Sequence, residues 1–406
     1  MIPLNSDSLL QRIPNINFQL DGSNQVEIRT EGGVVFCAQH GLAVLEAFSQ
    51  PTSMAVALDR LKARGEQHWI DLTELIIQLY QVGILQDPKL RNRANALKQS
   101  GFGSAREHVG MLNDRARTES FLTAIREVVR PKDVVLDLGT GTGVLAVAAA
   151  RAGAAHVYAV EAGAMADVAQ AVFAREGLTD RITLFREWST EIKLPEPADV
   201  LVSEIIGNDP LNERILEMTR DARKRLLKPG ARLIPQTLTI CGLPLNIPQG
   251  ELNKQVPTED RLECWKSWYD IDFTPLAEAA DRSLYSRFFI NPHSAIQWPV
   301  FSDPVVLAEI NFALTDLLVV DRQTEVLATS AGQLNGLLIY FETGLGPTTV
   351  FSTHPLQTDR DTSWRHPVWY FSQGPTLQPG DRFTLHYQSG KKGRLSQVRL
   401  LPPGRK

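Results

Sequence analysis

Apolar residues follow three different patterns along the chain, and each pattern predicts a different kind of domain. From residue 15 to 87, three short alternating segments (NFQL, QVEIRT, GVVFCA) precede three segments with apolar residues at helical spacing. Three strands followed by three helices predict a small α+β winged-helix domain over residues 1–88. The polar and basic residues 89–100 predict a connecting helix.

From residue 101 to 235, apolar strands alternate with helical segments. The strands are DVVLDLGTG, HVYAVEA, RITLFRE, DVLVSEI and ARLIPQT. This alternation predicts an α/β domain with a parallel, doubly wound, Rossmann-like sheet, which together with the connecting helix occupies residues 89–235. Over residues 236–406, seven further strands separated by turns predict an antiparallel β-barrel or sandwich.

Composition excludes several classes of function. The 406 residues are 43% hydrophobic and 22% charged, which predicts two or three ordinary globular domains. The net charge of −4, with five Lys and Arg against ten Asp and Glu in residues 1–88, disfavours nucleic-acid binding even by a winged helix. Three scattered cysteines and the lack of a membrane-length apolar run predict a cytoplasmic protein without disulfides, metal or membrane contact.

A glycine-rich turn marks a candidate cofactor site. Small residues between a strand and a helix let the backbone approach a ligand at the helix N-terminus. The dinucleotide fingerprint places its third glycine where Val144 stands, so the spacing disfavours NAD. Glu161 ends the next strand, where an acid can accept both ribose hydroxyls. The turn resembles the S-adenosylmethionine site of class I methyltransferases. Its candidate cofactor-binding residues are Asp137, Gly139, Thr140, Gly141, Gly143 and Glu161.

Two further motifs resemble those of the protein arginine methyltransferases. EHVGMLNDRARTES is similar to that family's H-x-x-M-L-x-D-x-x-R-T helix, and SEIIGNDPLNE is similar to its double-glutamate loop. In addition, TSWRHPVWYF resembles the family's Thr-His-Trp loop, and EDRLECWKSWYDIDFTPL resembles its dimerisation arm. The residues in register are His108, Met111, Leu112, Asp114, Arg117, Thr118, Ser203, Glu204, Gly207 and Glu213. The resemblance covers residues 101–400.

This resemblance implies a role for each residue. Glu204 and Glu213 would be catalytic, because two carboxylates can hold the planar fork of a guanidinium with charge-assisted hydrogen bonds. Arg117 would pair with the methionyl carboxylate of S-adenosylmethionine. Residues about 255–285 would form a dimerisation arm, which implies a homodimer. The implied substrate-binding residues are Met111, Asp114, Ser363 and Trp364.

Two positions depart from the family pattern, and a third residue could compensate for one of them. Ser363 stands where the Thr-His-Trp loop has its histidine, so Asp114 is expected to lack its partner. Phe102 stands where a tyrosine hydroxyl is expected. His366, three residues after Ser363, could compensate for the missing histidine, but such a residue is more often a histidine on the barrel surface, which is the prediction here.

The N-terminal domain has a resemblance of its own. Its element order, and the segments GLAVLEAF, TSMAVALDRL and LIIQLYQVGIL, resemble the RiPP precursor recognition element, the family of the pyrroloquinoline quinone chaperone. Members add a leader peptide as an extra strand at a sheet edge. The leading hypothesis is therefore a methyltransferase acting on arginine in a ribosomally made precursor peptide. The alternatives are O- or amide N-methylation of another acceptor, a non-catalytic peptide-binding scaffold, and a purely structural N-terminal appendage.

Overall fold

The structure is a computed structural model that describes residues 4–13, 17–20, 26–30, 33–37, 40–63, 69–81, 84–88, 104–282, 287–389 and 396–401. Contacts divide the chain into two compact units, Met1–Gly101 and Phe102–Lys406. The predicted connecting helix over residues 89–100 lies outside the described residues.

The first unit contains strands at the three predicted segments, followed by three helices. They are β2 (Asn17–Leu20), β3 (Val26–Thr30), β4 (Gly33–Cys37), α1 (His40–Ala47), α2 (Met54–Ala63) and α3 (Trp69–Gln81). β2, β3 and β4 form an antiparallel sheet in chain order. A strand that the pattern did not predict, β1 (Leu9–Arg12), pairs with β5 (Thr52–Ser53) and β6 (Leu85–Gln86). Leu10 of β1 is 1% exposed, so its burial among the helices accounts for this extra sheet.

A parallel five-stranded sheet forms the first half of the second unit. Its order is β11-β10-β7-β8-β9, and helices connect its strands. The elements are α4 (Ala105–Asn113), α5 (Arg115–Val128), β7 (Val134–Leu138), α6 (Val144–Arg151), β8 (His156–Val160), α7 (Met165–Arg175), β9 (Ile182–Phe185), β10 (Ala198–Val202), α8 (Ile215–Arg225) and β11 (Leu227–Ile234).

The strand order explains where a ligand can bind. β7 is buried along its whole length and lies between β10 and β8, so the chain leaves it in one direction and returns on its other side. In doubly wound sheets, ligands bind at the carboxyl ends of strands at such a reversal. The glycine turn, Glu161 and the double-glutamate loop follow β7, β8 and β10, which places all three at this end of the sheet.

Antiparallel sheets form the second half of this unit. A six-stranded sheet has the order β13-β19-β17-β12-β14, with β18 paired to β17, and smaller sheets join β15-β21-β22 and β16-β20. The strands are β12 (Thr237–Leu245), β13 (Arg287–Ile290), β14 (Val305–Asn311), β15 (Val320–Leu327), β16 (Gly332–Gln333), β17 (Gly336–Gly344), β18 (Val350–Ser352), β19 (His366–Tyr370), β20 (Thr376–Leu377), β21 (Arg382–Ser389) and β22 (Gln397–Leu401). One buried apolar cluster runs from the parallel sheet into these strands. The predicted fold class of this unit, a Rossmann-like domain followed by a β-barrel, is confirmed.

Three helices lie between β12 and β13 among the described residues, and the second and third fall in the segment predicted to be an arm. They are α9 (Gln249–Gln255), α10 (Glu259–Tyr269) and α11 (Thr274–Arg282). No residue of α10 is buried, and Trp268 and Tyr269 are each 58% exposed. Within the described residues, no helix combines the length and apolar character needed to cross a membrane.

Candidate active site

The turn after β7 has a backbone that requires glycine. Gly139, Gly141 and Gly143 have φ angles of 80°, 53° and 88°, the left-handed region that side chains disfavour. A Cβ on Gly143 would lie 2.5 Å from the ring of Phe173, and one on Gly141 would lie 2.8 Å from the ring of His108. His108 belongs to α4, so this helix covers the glycine turn.

Glu161 lies against the same turn. Its Oε2 accepts a hydrogen bond from the N–H of Gly141 at 3.0 Å, and its Oε1 accepts one from the N–H of Gly163 at 2.7 Å. Each carboxylate oxygen retains a further lone pair. The carboxylate is therefore oriented by the backbone and can still accept hydrogen bonds from the two hydroxyls of a ribose.

Asp137 lies beneath the turn. It is fully buried, and its Oδ2 accepts a hydrogen bond from the hydroxyl of Thr140 at 2.5 Å. Burial raises the pKa of Asp137 to about 7, although the hydrogen bonds from Thr140 and from the N–H of Ala146 oppose the rise. Asp137 and Thr140 thus support the turn from the protein side.

Asp114 connects α4 to α5 and is 2% exposed. Its Oδ1 caps α5 by accepting from the N–H of Arg117 at 3.1 Å. Its Oδ2 accepts from the hydroxyl of Thr362 at 3.2 Å and from the N–H and hydroxyl of Ser363 at 2.8 and 3.1 Å. The histidine partner is absent, but Asp114 is not left unpaired, because Ser363 supplies hydrogen-bond donors at the position of the family's histidine.

Arg117 forms an ion pair with Glu204. Its guanidinium also donates to the carbonyl oxygen of Met111 at 3.2 Å and lies 5.5 Å from the ring centroid of Trp364. Burial lowers the pKa of Arg117 to about 10, and the negative charges of Asp114 and Glu213 oppose this shift. The arginine that the sequence assigned to the cofactor is thus paired with the first glutamate of the double-glutamate loop.

The double-glutamate loop folds back on itself between β10 and α8. The hydroxyl of Ser203 donates to the carbonyl oxygen of Leu138 at 3.2 Å, which fixes the start of the loop to β7. A Cβ on Gly207 would lie 2.9 Å from Oε1 of Glu213, so a glycine here lets the second glutamate approach the loop backbone. Burial raises the pKa of Glu213 to about 8, and the positive charge of Arg117 opposes the rise.

Trp364 supports the same loop from the barrel. It is 6% exposed, its indole N–H donates to the carbonyl oxygen of Ile206 at 3.0 Å, and Phe341 and Phe351 pack on its ring. Trp364 is therefore buried against the loop backbone at Ile206, whereas the sequence assigned it to the substrate.

Two other sequence expectations have different outcomes. His366 is 2% exposed, so the prediction of a surface histidine is wrong: it begins β19, which lies between β13 and β17 in the sheet. Phe102 lies outside the described residues. Among the described residues, no group of three or more His, Cys, Asp or Glu is arranged to hold a metal ion.

Sequence reasoning missed two polar residues inside the double-glutamate loop. The side-chain oxygen of Asn208 accepts from the N–H of Arg365 at 2.6 Å, and the carboxylate of Asp209 is fully buried. The only signal available was a pair of polar residues before Pro210, which is equally typical of an exposed turn.

Comparisons with known proteins agree with this architecture. Residues 114–236 match the family model of ribosomal protein L11 methyltransferase (PrmA), and residues 249–400 match that of the arginine methyltransferase oligomerization subdomain. A probable histone-arginine methyltransferase CARM1 of rice (Oryza sativa subsp. indica) is 31% identical over 61% of this chain and 47% of its own length. The chain thus spans about half the length of that relative.

A bacterial relative is matched over more of its length. The arginine N(omega)-methyltransferase of Streptomyces achromogenes subsp. streptozoticus is 31% identical over 62% of this chain and 67% of its own length. A solved structure, the PRMT1 enzyme–prozyme heterotetrameric complex of Trypanosoma brucei with AdoHcy, superimposes with a TM-score of 0.62 over 74% of this chain and 99% of the other, at 22% identity. The chain belongs to the protein arginine methyltransferase family, whose members use S-adenosylmethionine.

Proposed function

We propose that this protein transfers the methyl group of S-adenosylmethionine to the guanidinium of an arginine, and that Glu204 and Glu213 hold the acceptor. The observation that supports this most directly is the environment of Arg117. Its guanidinium is paired with Glu204, and the charge of Glu213 acts on it as well. Glu204 therefore already holds a guanidinium, and Glu213 lies close enough to act on it electrostatically, as an acceptor arginine requires.

The residues around the glycine turn fit S-adenosylmethionine. Glu161 can accept the ribose hydroxyls, the glycines leave the turn without side chains so that a ligand can approach its backbone, and Arg117 can pair with a carboxylate. Nε of Arg117 is buried without a hydrogen-bond partner among the described residues, so this guanidinium retains a donor. When bound, the cofactor supplies a methyl group on a positively charged sulfur.

The glutamates can activate the acceptor nitrogen. A guanidinium nitrogen is a poor nucleophile because its lone pair is delocalised, and carboxylates that draw the positive charge to one side leave the other nitrogen more nucleophilic. As the new N–C bond forms, that nitrogen releases one proton. Glu213 is suited to accept this proton because its pKa of about 8 lies near physiological pH.

The acceptor that we propose is an arginine in a ribosomally made precursor peptide whose leader binds the N-terminal unit. The three-stranded sheet β2-β3-β4 supports this, since among the described residues β2 and β4 each pair on one side only, and such an edge strand can take an added strand. The balance of five basic and ten acidic residues over residues 1–88 suits a basic leader.

Free arginine is a second candidate acceptor. It is favoured by the bacterial relative, whose name specifies arginine and not a protein. The two acceptors present the same guanidinium, so Glu204 and Glu213 would serve either one.

Mass spectrometry can separate these acceptors. The purified protein is incubated with S-adenosylmethionine and either free arginine, an arginine-containing core peptide, or the same peptide with a basic leader. A gain of 14 Da on arginine in any of them supports the reaction, and no gain on all three would contradict it. If the leader binds the first unit, deleting residues 1–88 raises KM for the leader-bearing peptide only.

A further inference from the structure

Asp209 lies in the middle of the double-glutamate loop and is fully buried. Its Oδ2 accepts three hydrogen bonds: from the guanidinium of Arg287 at 2.8 Å, and from the N–H and hydroxyl of Ser396 at 2.7 and 2.8 Å. Arg287 begins β13 and Ser396 immediately precedes β22. A loop of the cofactor-binding half is thus fixed to two strands of the barrel half.

Arg287 is itself held in place. It is 11% exposed, and its guanidinium lies 5.1 and 5.5 Å from the ring centroids of Phe289 and Trp369. Aromatic faces and a carboxylate together fix the orientation of the fork. The pair therefore provides a rigid anchor for the loop.

Burying the Asp209–Arg287 ion pair carries a desolvation penalty. Burial raises the pKa of Asp209 and lowers that of Arg287, so in both residues desolvation outweighs the attraction between them. Replacing a buried ion pair with apolar residues of similar volume is often neutral or stabilising. What the pair provides, and apolar residues would not, is a fixed direction and distance between loop and barrel.

The loop geometry indicates what is being positioned. Asp209 lies five residues after Glu204 and four before Glu213, and its carbonyl oxygen accepts from the N–H of Asn212 in the turn that leads to Glu213. The two loop positions on its other side, Ile206 and Asn208, also bond to the barrel, through Trp364 and Arg365. Asp209 is the charged member of these three attachments.

We propose that Asp209 is a positioning residue: through Arg287 and Ser396 it sets the placement of Glu213 relative to Glu204 for the acceptor guanidinium. This inference rests on the proposed function. Because Asp209 is fully buried, it would act through the loop and not by contact with the acceptor. Its loss should lower turnover while leaving the binding of S-adenosylmethionine unchanged, since small misplacements of reacting groups cost about 100-fold in rate.

The test compares three variants, with turnover expressed per S-adenosylmethionine site counted by calorimetry. Asp209→Asn should lower kcat by about tenfold to 100-fold. Asp209→Leu combined with Arg287→Met removes both charges, so its thermal midpoint should recover toward that of the wild type while its kcat stays low. The matched control is Asp133→Asn, since Asp133 also accepts from an arginine, Arg232, and from a backbone N–H. It should keep normal kcat per site.

Three outcomes decide between the possibilities. Low kcat in both Asp209 variants with normal kcat in the control supports a positioning role. A kcat of Asp209→Asn within twofold of the wild type, or a kcat that recovers together with stability in the double variant, would reduce the pair to a structural element and leave the proposed function standing. A wild type that methylates no arginine acceptor would overturn the proposed function and this role with it.

Discussion

The guanidinium of Arg117 donates to the carboxylate of Glu204, and the two side chains are only 12% and 7% exposed. This ion pair joins the helix that precedes the glycine turn to the first acid of the double-glutamate loop. It places an arginine of the chain itself against the carboxylate that we assign to the acceptor. A carboxylate on the bound cofactor would compete for Arg117 and so release Glu204.

Replacing either glutamate by glutamine keeps the size of the side chain and removes its charge, so turnover should fall sharply. Glu204→Gln and Glu213→Gln should each lower kcat by about 100- to 1000-fold, because each removes a charge-assisted contact to the reacting group. The double variant should lose less than the product of the two effects, since both groups hold one guanidinium. Glu176→Gln, which alters an exposed ion pair with Arg151, is the control and should keep normal kcat. Near-normal turnover of either single variant on arginine would rule out the assignment.

The activity should depend on pH through Glu213. With a pKa of about 8 in the free protein, this carboxyl is mostly protonated at pH 7 and must lose its proton to pair with a guanidinium. We expect kcat/KM for the acceptor to rise about tenfold per pH unit below 8 and to level off above it. In Glu213→Gln the residual activity should lack this inflection. A flat wild-type profile between pH 6.5 and 9 would contradict the role of Glu213.

Gly141→Ala should abolish binding of S-adenosylmethionine. The new Cβ would lie 2.8 Å from the ring of His108 and would strain a φ of 53° in the turn that orients Glu161. Gly177→Ala is the matched control, because its φ of 66° imposes a similar strain while nothing lies within 4 Å of the added carbon. Calorimetry should detect binding to the control only. Equal affinity of both variants would show that the turn does not carry the cofactor.

His366 should make the fold sensitive to acid. Burial and the nearby His354 lower the pKa of His366 to about 3. The unfolded chain therefore binds a proton below about pH 6.5 that the folded chain does not, so stability falls as pH decreases from about 6.5 towards 3. The loss should be about 1.4 kcal/mol at pH 5.5. In urea unfolding, His366→Leu should lose less stability than the wild type between pH 7.5 and 5.5, and an identical loss would contradict this explanation.

The arm should mediate a homodimer, which we propose from its exposed apolar residues and its match to an oligomerization subdomain. Trp268, Tyr269 and Leu276 are 58%, 58% and 51% exposed, which is typical of an interface core in the separated chain. Changing Trp268 and Tyr269 together to glutamate should convert the dimer to a monomer in analytical ultracentrifugation. Leu314→Glu, at a residue 78% exposed outside the arm, should leave the assembly unchanged. A wild type that sediments as a monomer would refute the dimer.

Some strands were predictable from the sequence and others were not. The continuous apolar run of β7 predicts a strand buried on both faces, and the alternating apolar residues of β21 predict a strand buried on one face. β15 (VDRQTEVL) is mostly exposed and was not predicted, since hydrogen bonds to β21 hold it in the sheet. A strand that is held mainly by hydrogen bonds to a distant strand therefore cannot be recognised from the pattern of its own side chains.

The sequence by itself determined the doubly wound domain, the barrel, the glycine turn and the two glutamates nine residues apart. The two domains are predicted by local periodicity in the sequence. The glycine turn and the glutamate pair are recognisable because only a few backbone conformations and a few reactions require those residue types. Only the tertiary structure determined which polar side chains pair with one another. It joined Arg117 to Glu204, Asp114 to Ser363, and Asp209 to Arg287 across 78 residues of chain. The physical reason is that a polar side chain carries the same signal whether it is solvated or buried, and burial and partnership arise only when distant elements pack together.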